Sequence, residues 1–374
     1  MKFTPPLALT FLIPTILAAK TTTVVVSSTP VPELSDVIWT SENTGFDAPK
    51  VSPINATTWD WWYFDATQSP TENDEQASVV VTFYTATASG FDLLAGYAAE
   101  GFTSLTLVEA RVTWANGSSE AYIFNATEAV ITAVDNGASG DFDEGADKAS
   151  FTGAPDLSAY RVGLQSLLIS GSVTIHSVAP AHYPCGPAEA SKALEIAPHI
   201  GWANAIPGGN ADVQLTVRGH PLEFTGVGYH DKNWGDQNFA SNVGSWYWGH
   251  GRLGDYTVVW FDFLSAQREN YVSAYLSRDN EVIVSQCSGI SVRPYGENDT
   301  YPPLISTGPP TGFDVKISLP EGGIFAFSAA TKHIIAGGEE GFPYTRWSGT
   351  LRGDIEGEEV IGQAVLEQFN IFTE

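Results

Sequence analysis

The sequence predicts an all-β protein with two barrel-like or sandwich-like units. Its apolar residues follow the two-residue period of strands almost everywhere, and helical spacing is limited to one short segment, 188–194. Glycine (36 residues) and proline (22 residues) are spread between the apolar runs, where many short strands need tight connections. The 11 tryptophans are clustered and can fill large interiors. These three observations favour strands that close around aromatic cores.

The clearest strands lie in the first half of the chain. Residues 78–85 form an apolar run typical of a buried strand, and 104–114 form a longer one. Asn116-Gly117 follows, a dipeptide that favours a two-residue hairpin turn, and 121–124 supplies the returning strand. The same patterns predict further strands within 160–178 and at 212–217, 222–229, 256–263, 271–276, 281–284, 312–319, 324–327 and 363–372.

Composition also divides the chain. Residues 20–35 are rich in threonine, serine and proline, which predicts an extended leader outside the core. The passage 233–244 is polar, rich in glycine and asparagine, and has no strand pattern, so we expect the domain junction there. The sequence therefore predicts an N-terminal β-barrel domain at 36–238 and a C-terminal one at 239–374, each long enough to bury its own core.

The acidic composition excludes two classes of partner. The formal net charge is −26, from 17 basic and 43 acidic residues. Such a chain repels nucleic acid and anionic membrane surfaces, so we expect neither as a partner. One carboxylate-rich segment, 135–147, is predicted to be a solvated loop. Calcium binding is the alternative, although the spacing of its carboxylates does not match an EF-hand.

The N-terminus has the pattern of a secretory signal. Lys2 supplies a basic start, an apolar run spans 5–17, and two alanines follow as small residues for cleavage. We therefore predict a signal peptide at 1–19 and a location outside the cell or in the secretory pathway. A retained anchor is the alternative, because Leu17 is large for its position before the cleavage site.

Sequons and cysteines agree with this compartment. Cys185 and Cys287 are the only cysteines, and we predict a disulfide between them, with a reduced buried pair as the alternative. Neither lies in a Cys-x-x-Cys motif, so the sequence predicts no redox or metal site. The predicted glycosylation acceptors are Asn55, Asn116, Asn125 and Asn298.

Aromatic residues concentrate in three segments, 57–64, 228–235 and 245–250. On a strand, alternate residues share a face, so Trp59, Trp61 and Tyr63 are expected to point one way. By the same rule Trp246 shares a face with Trp248. Core packing explains part of this enrichment, but polar residues are interleaved with the rings and must find partners if buried. We therefore expect either a site or a buried hydrogen-bond network.

Motifs for the common catalytic chemistries are missing. The chain has no Gly-x-Ser-x-Gly elbow, His-Glu-x-x-His helix, phosphate-binding loop or dinucleotide-binding glycine motif. We therefore predict no cofactor and no metal, and a hydrophobic small molecule as the partner. Either a binding protein or an enzyme that acts by shape and a few hydrogen bonds fits this pattern.

Three segments carry a resemblance to a known family. The Trp-Trp-Tyr run at 61–63, the Gly-Tyr-His-Asp-Lys-Asn-Trp-Gly run at 228–235 and the Trp-Tyr-Trp-Gly run at 246–249 resemble the hydroxyneurosporene synthase or carotenoid hydratase-like superfamily. They come in the same order and cover most of 57–374. Within this superfamily, the chain is similar to the fungal lipocalin-like Diels–Alderases of secondary metabolism.

The resemblance implies a fold and a reaction. The fold is two tandem calycin-type β-barrels with a pocket in or between them. The signal and sequons favour the secreted subset, which joins a tropolone o-quinone methide to a humulene-type sesquiterpene by hetero-Diels–Alder addition. The enzyme would preorganise the reactants and hydrogen-bond the heterodiene carbonyl. Lys232 stands where the hydratase branch usually has a second histidine, which argues against hydration.

Candidate site residues follow from the clusters and the resemblance. Tyr229, His230 and Asn233 are the expected catalytic residues. Two other classes of function also fit the sequence: a carrier that binds a hydrophobic molecule without turnover, and a hydratase or hydrolase that uses a carboxylate pair. The expected substrate-binding residues are Trp61, Tyr63, Trp246, Trp248, Trp260 and Trp347.

Overall fold

The structure, a computed structural model, describes residues 19–69, 76–339 and 341–373. The predicted signal peptide, apart from Ala19, lies outside these residues. Nearly all regular structure within them is strand, arranged in two large antiparallel sheets and one small one. No described helix is long and apolar enough to cross a membrane.

The first large sheet has 15 strands, and all of them lie before residue 236. Strands are numbered along the chain, and β2 (Asp36–Val37) and β3 (Val51–Ser52) pair separately. The members of the first sheet are β1 (Thr21–Ser27), β4 (Trp59–Gln68), β5 (Ser78–Ala86), β6 (Thr106–Thr113), β7 (Ser119–Asn125), β8 (Glu128–Val134), β9 (Gly137–Glu144), β10 (Asp147–Gly153), β11 (Ala159–Gln165), β12 (Ile169–Ser177), β13 (His182–Tyr183), β14 (Gly186–Pro187), β15 (Glu195–Ala197), β16 (Ile200–Val217) and β17 (His220–Gly235).

The second large sheet has nine strands in the order β21-β20-β19-β18-β26-β25-β24-β23-β22. Its bounds are β18 (Val243–Leu253), β19 (Tyr256–Ser265), β20 (Asn270–Arg278), β21 (Glu281–Gln286), β22 (Ile290–Tyr295), β23 (Gly312–Ser318), β24 (Ile324–Gly337), β25 (Tyr344–Ile355) and β26 (Glu358–Asn370). The described helical turns are short: a 3₁₀ turn at Asp92–Leu94 leads into α1 (Ala95–Ala99), and another lies at Phe239–Ser241.

Each large sheet curls around its own apolar core, so the prediction of an all-β, two-barrel fold is confirmed. The first barrel encloses Trp62, Phe64 and their neighbours, and the second encloses Tyr247, Trp260 and theirs. A third aromatic cluster lies between the barrels and contains Trp61. The site described below belongs to this third cluster.

Two local predictions were wrong. The segment 188–194 is not helical, because its backbone bonds to a neighbouring segment: Ser41 N–H donates to Lys192 O at 2.9 Å and Leu194 N–H to Trp39 O at 3.0 Å. The segment 135–147 is not a loop, since β9 occupies most of it. Phe142 is buried there while Asp141 is exposed, so the acidic residues face outward from a regular strand.

The leader and the junction have defined structure. Within the leader, β1 pairs with β8 along seven residue pairs and forms one end of the first sheet. At the junction, β17 ends at Gly235 and β18 begins at Val243. Phe239, in the connecting turn, is only 2% exposed and packs into the cluster between the barrels.

A disulfide joins the two units. Cys185, in the turn between β13 and β14, is bonded to Cys287, which follows β21. Their Cα atoms are 4.7 Å apart, and 102 positions separate them in the chain. Closing so long a loop in the unfolded chain corresponds to about 4–5 kcal/mol of stabilisation.

Candidate functional site

A cavity lies where the two barrels meet. The empty space among its lining residues, including open solvent at the mouth, is about 810 Å³. The first barrel contributes residues of β4, β5, β6 and β17, and the second contributes residues of β18, β19, β25 and β26. Its walls are mostly aromatic, and the polar groups among them are few: Thr82, Glu109, Arg111, Asp231, Asn233, Arg346, Glu367 and the tyrosine hydroxyls.

Strand alternation on β4 separates two faces. Trp61 and Tyr63 point into the cavity, whereas Trp62 and Phe64 point into the core of the first barrel. This division is the one predicted from the sequence. The adjacent strand β17 behaves in the same way, with Asp231 and Asn233 toward the cavity.

The aromatic wall is made of interlocked rings from both barrels. Trp61 stacks on Trp59 with ring centroids 4.5 Å apart and packs against Phe91 at 4.7 Å. Across the junction, Trp248 meets Tyr63 edge-on at 5.6 Å. Such contacts fix ring positions before a ligand enters. The wall is therefore a preformed apolar surface suited to a flat or polycyclic molecule.

Asp231 is the carboxyl group at the floor of the cavity. It is 4% exposed, and its Oδ2 accepts hydrogen bonds from Trp202 Nε1 at 2.7 Å and from the Tyr229 hydroxyl at 2.8 Å. Burial raises the pKa of Asp231 to about 7, although these two donors pull it down. Because both donors go to Oδ2, a proton on this carboxyl belongs on Oδ1.

A second carboxylate lies behind the cavity wall. Asp65 Oδ2 accepts a hydrogen bond from the Tyr63 hydroxyl at 2.7 Å and lies 2.8 Å from His250 Nε2. The His250 ring stacks on Tyr229 at 4.0 Å. This network connects both barrels and holds Tyr63 and Tyr229 in place beside Asp231.

Arg346 and Glu367 form a buried ion pair on the wall of the second barrel. Glu367 Oε2 accepts from Arg346 Nε at 2.9 Å, from Arg346 Nη2 and from the Tyr344 hydroxyl at 2.8 Å. Its Oε1 accepts from Trp246 Nε1 at 2.7 Å. The guanidinium lies over the Tyr63 ring, 4.5 Å from its centroid. Burial opposes the charge of Arg346, but the surrounding tyrosines and Glu367 raise its pKa.

A second arginine–glutamate pair comes from the first barrel. Arg111 Nε donates to Glu109 Oε1, and Arg111 Nη2 donates to the Tyr97 hydroxyl at 2.8 Å. Arg111 Nη1 reaches Ile335 O of β24 at 3.4 Å. All three nitrogens of this guanidinium therefore have protein acceptors, and the group ties the two barrels together at the cavity.

The predicted site residues fall into three groups. Trp61, Tyr63, Asn233, Trp246 and Trp248 line the cavity. Asn233 donates through Nδ2 to Gly201 O at 3.0 Å, so its side chain is fixed. Tyr229 is fully buried and supports Asp231 from behind.

The remaining predicted residues lie elsewhere. Trp260 and Trp347 belong to the core of the second barrel. His230 lies in the core of the first barrel, where Nε2 is 3.1 Å from Asp47 Oδ2 and Nδ1 is 2.9 Å from Tyr63 O. Lys232 shares that core, with Nζ 3.0 Å from Asp60 Oδ1 and 3.9 Å from the centre of the Trp62 ring.

The four predicted glycosylation acceptors differ in their exposure. Asn116 and Asn298 are exposed, whereas Asn55 and Asn125 are half-buried. Asn116 Oδ1 accepts from Ser118 N at 3.0 Å and Ser118 Oγ at 2.7 Å, within an exposed turn. In the described part of the chain, no group of three or more histidine, cysteine, aspartate or glutamate residues is placed to hold a metal.

The family follows from comparison with known proteins. A family model described as Diels-Alderase-like matches residues 23–305. The chain belongs to the Diels–Alderase-like family. The resemblance stated from the three aromatic segments is therefore confirmed, and the family is one of fungal secondary metabolism.

Two relatives of this Diels–Alderase-like protein match it over most of their length. It is 34% identical over 346 residues to the quinolone epoxide rearrangement protein asqO of Emericella nidulans, covering 88% of each protein. It is 33% identical over 347 residues to the quinolone epoxide rearrangement protein penF of Penicillium thymicola, covering 89% of this chain and 91% of the relative. The Diels-Alderase poxQ of Penicillium oxalicum is 27% identical over 292 residues, which cover 76% of this chain and 62% of the poxQ chain.

Solved structures show the same fold. The crystal structure of CghA with Sch210972 matches with a TM-score of 0.72 at 18% identity, covering 93% of this chain and 98% of the other. The structure of kievitone hydratase from Nectria haematococca matches with a TM-score of 0.51 at 15% identity, covering 90% and 98%. At these identities the likeness shows the two-barrel fold alone.

Sequence reasoning missed the charged residues of this Diels–Alderase-like site. Asp231 lies within the predicted 228–235 cluster, and strand alternation with Tyr229 and Asn233 was a signal that could have found it. No sequence pattern joins Glu109 and Arg111 of β6 to Arg346 and Glu367, because the second pair comes from the β25–β26 hairpin more than 200 residues away. Only the folded sheets bring them together.

Proposed function

We propose that this protein is an enzyme of fungal secondary metabolism that rearranges an epoxide carried by a hydrophobic, quinolone-like molecule. The observation that carries the proposal is the Asp231 carboxyl group. Its pKa of about 7 keeps a large part of the population protonated near neutrality, and both protein donors go to Oδ2, which leaves Oδ1 as the oxygen that carries the proton. A neutral carboxylic acid at an apolar floor is suited to general acid catalysis. The two relatives that match over most of the chain are named for the same reaction class.

The reaction can be completed with this one acid. Asp231 Oδ1 donates its proton to the epoxide oxygen, the adjacent C–O bond breaks, and positive charge develops on carbon. A neighbouring group then migrates to that carbon with its electron pair. The resulting protonated carbonyl returns its proton to Asp231. The product is an isomer of the substrate, so neither an oxidant nor a water molecule is consumed.

The aromatic wall supports the charged stage of this reaction. Developing positive charge is stabilised by ring faces, and Trp61, Tyr63 and Trp248 lie around the same cavity as Asp231. In this proposal Asp231 supplies the proton, and the aromatic rings stabilise the cation until the neighbouring group migrates.

The test is turnover by purified protein of an epoxide-bearing quinolone, followed by chiral chromatography and mass spectrometry. Wild type is expected to give one isomer, and Asp231→Asn to react at least a hundredfold more slowly. Asp143→Asn is the matched control, since that carboxylate is on the outer side of β9 and should leave the rate unchanged. Equal rates for wild type and Asp231→Asn would exclude this acid.

The cavity also favours a second candidate reaction, the hetero-Diels–Alder addition of a tropolone o-quinone methide to a humulene-type sesquiterpene. The supporting observation is that Arg346, a hydrogen-bond donor for a heterodiene carbonyl, lines the same cavity as a wide aromatic wall. This reaction needs no proton transfer. It therefore predicts cycloadduct formation that is insensitive to Asp231→Asn, and incubation of the two reactants with both proteins separates the candidates.

We further propose that the protein follows the secretory route. The apolar N-terminal segment, the four sequons and the disulfide-bonded pair Cys185–Cys287 support this location. The exposed position of Asn116, in a tight turn, suits an oligosaccharide acceptor.

A further inference from the structure

We propose that Arg346 binds a conjugated carbonyl or enolate oxygen of the substrate, so that the cavity selects flat apolar molecules bearing such an oxygen. This inference rests on the proposed function and gives its substrate a chemical class. It does not depend on which bond of the substrate later breaks. The two buried arginines of the cavity, Arg111 and Arg346, differ in their sets of acceptors.

Arg346 has N–H donors that no described protein group accepts. Nε and Nη2 donate to a single oxygen, Glu367 Oε2, and Nη1 has no acceptor among the described residues. A guanidinium carries five N–H donors, so at least the two on Nη1 are available to a ligand. The side chain is 13% exposed and lines the cavity. Arg111, by contrast, uses all three of its nitrogens on protein acceptors.

Glu367 is fixed by hydrogen bonds to both of its oxygens. Its two oxygens accept from Trp246, Tyr344 and Arg346, so no oxygen of this carboxylate is left without a donor. Glu367 therefore neutralises and orients the guanidinium, and both of its oxygens already accept hydrogen bonds from the protein. We assign it as a positioning residue that acts through Arg346.

The ring beneath the guanidinium sets the geometry of binding. The guanidinium carbon of Arg346 lies over the Tyr63 ring, 4.5 Å from its centroid, and Tyr63 is held by its hydrogen bond to Asp65 Oδ2. Nη1 is therefore available beside an aromatic surface. A ligand whose ring packs against the aromatic wall can place an in-plane oxygen against these donors. Hydrogen bonds from a charged donor are strongest to an oxygen with partial or full negative charge, as in a lactam or a vinylogous acid.

The experiment measures binding of two unreactive probes by quenching of tryptophan fluorescence, which Trp61 and Trp248 should report. One probe is 4-hydroxy-2-quinolone, which has a lactam and an acidic enol. The other is naphthalene, which has the same two-ring outline and no oxygen. For wild type we expect tighter binding of the quinolone. Arg346→Gln should raise the Kd of the quinolone about tenfold or more and change the Kd of naphthalene less than twofold. Arg346→Lys should give a quinolone Kd between those of wild type and Arg346→Gln.

Arg293→Lys is the matched control. Arg293 also pairs with a carboxylate, Asp262 Oδ2 at 2.7 Å, and also covers a tyrosine ring, Tyr301 at 3.8 Å, but it lies outside the cavity. It should not change either affinity. Because Arg346→Gln leaves Glu367 without its cation, the double variant Arg346→Gln with Glu367→Gln is measured beside it, with thermal melts of all variants.

The outcomes separate this inference from the proposed reaction. Equal weakening of both probes by Arg346→Gln, or no weakening of either, would overturn the role of Arg346. Probe binding requires no turnover, so selective loss of the quinolone with no epoxide rearrangement by wild type would support Arg346 and reject the reaction. If wild type rearranges the epoxide but Arg346→Gln does not selectively weaken quinolone binding, the role of Arg346 is rejected and the proposed reaction stands.

Discussion

His230 and Asp231 are neighbours in the chain, yet their side chains lie on opposite sides of β17. The His230 ring stacks on Phe64 at 4.0 Å inside the first barrel, while Asp231 lines the cavity between the barrels. The strand therefore carries a structural polar residue and a candidate catalytic one at adjacent positions. Substitutions at the two positions should be separable by their effects on stability and on turnover.

Asp231→Asn should make stability less dependent on pH. The pKa of Asp231 is raised from 3.8 to about 7 in the folded state, so the folded protein holds this proton more tightly than the unfolded chain. Its stabilising contribution is complete below about pH 4 and is lost as pH rises through about 7. We expect the variant to match wild type near pH 4 and to be more stable at pH 8, by up to about 4 kcal/mol.

Denaturant unfolding at both pH values measures this difference. Asparagine can keep the orientation of the side chain, because its carbonyl oxygen can accept from Trp202 and Tyr229 as Oδ2 does. A variant that is less stable than wild type at pH 8 would mean that folding does not raise the pKa of Asp231.

His230→Gln should lower stability and spare turnover. The ring is fully buried, and its loss removes contacts with Asp47, Tyr63 and Phe64. A broken buried polar network typically costs about 2–4 kcal/mol. We expect a lower urea midpoint, with the turnover of the folded protein, assayed well below its melting temperature, within severalfold of wild type. Loss of turnover without loss of stability would show that His230 contributes to the reaction.

The sequence predicted the fold better than it predicted the site. Period-two patterns located most strands, and the alternation of Trp61 with Trp62 assigned the faces of β4 correctly. The predicted strand at 222–229 ends before His230, whereas β17 continues to Gly235, so strand alternation beyond Tyr229 was not predicted. Arg346 and Glu367 come together only through the pairing of β25 with β26, where Arg346 lies opposite Glu367. A pattern within one strand cannot show that neighbour.

Substitution of Trp61 should weaken ligand binding, whereas substitution of Trp260 should lower stability. Trp61 lines the cavity, whereas Trp260 is 1% exposed in the core of the second barrel. Covering one large ring with substrate contributes about 1.5–3 kcal/mol. Trp61→Leu should therefore raise the Kd of an aromatic ligand roughly tenfold to a hundredfold. Trp260→Leu should lower the melting temperature and leave that Kd unchanged, and an equal change in Kd for both would contradict the assignment of the cavity wall.

Expression in a eukaryotic secretory host should give a cleaved glycoprotein. The N-terminus of the secreted protein should lie about 20 residues downstream of Met1, as signal cleavage requires. Mass spectrometry before and after peptide N-glycosidase should show added oligosaccharide. Asn116→Gln and Asn298→Gln should each remove one unit, because both asparagines are exposed. Secreted protein with an intact Met1 and no added mass would exclude this route.

The disulfide should hold the two barrels together, because Cys185 belongs to the first barrel and Cys287 to the second. The double variant Cys185→Ser with Cys287→Ser removes the link without leaving a lone thiol. We expect its free energy of unfolding to fall by about 4 kcal/mol, since the chain between the two positions is long. The cavity lies at the same junction, so ligand affinity should also weaken as the barrels gain freedom to separate. Denaturant titration and probe binding test the two effects separately. Mild reduction of wild type should reproduce the loss of stability and the weaker ligand binding. Unchanged unfolding in the variant and in the reduced protein would instead show that the barrels stay together without the disulfide, through packing of Trp248, Tyr63 and Phe239.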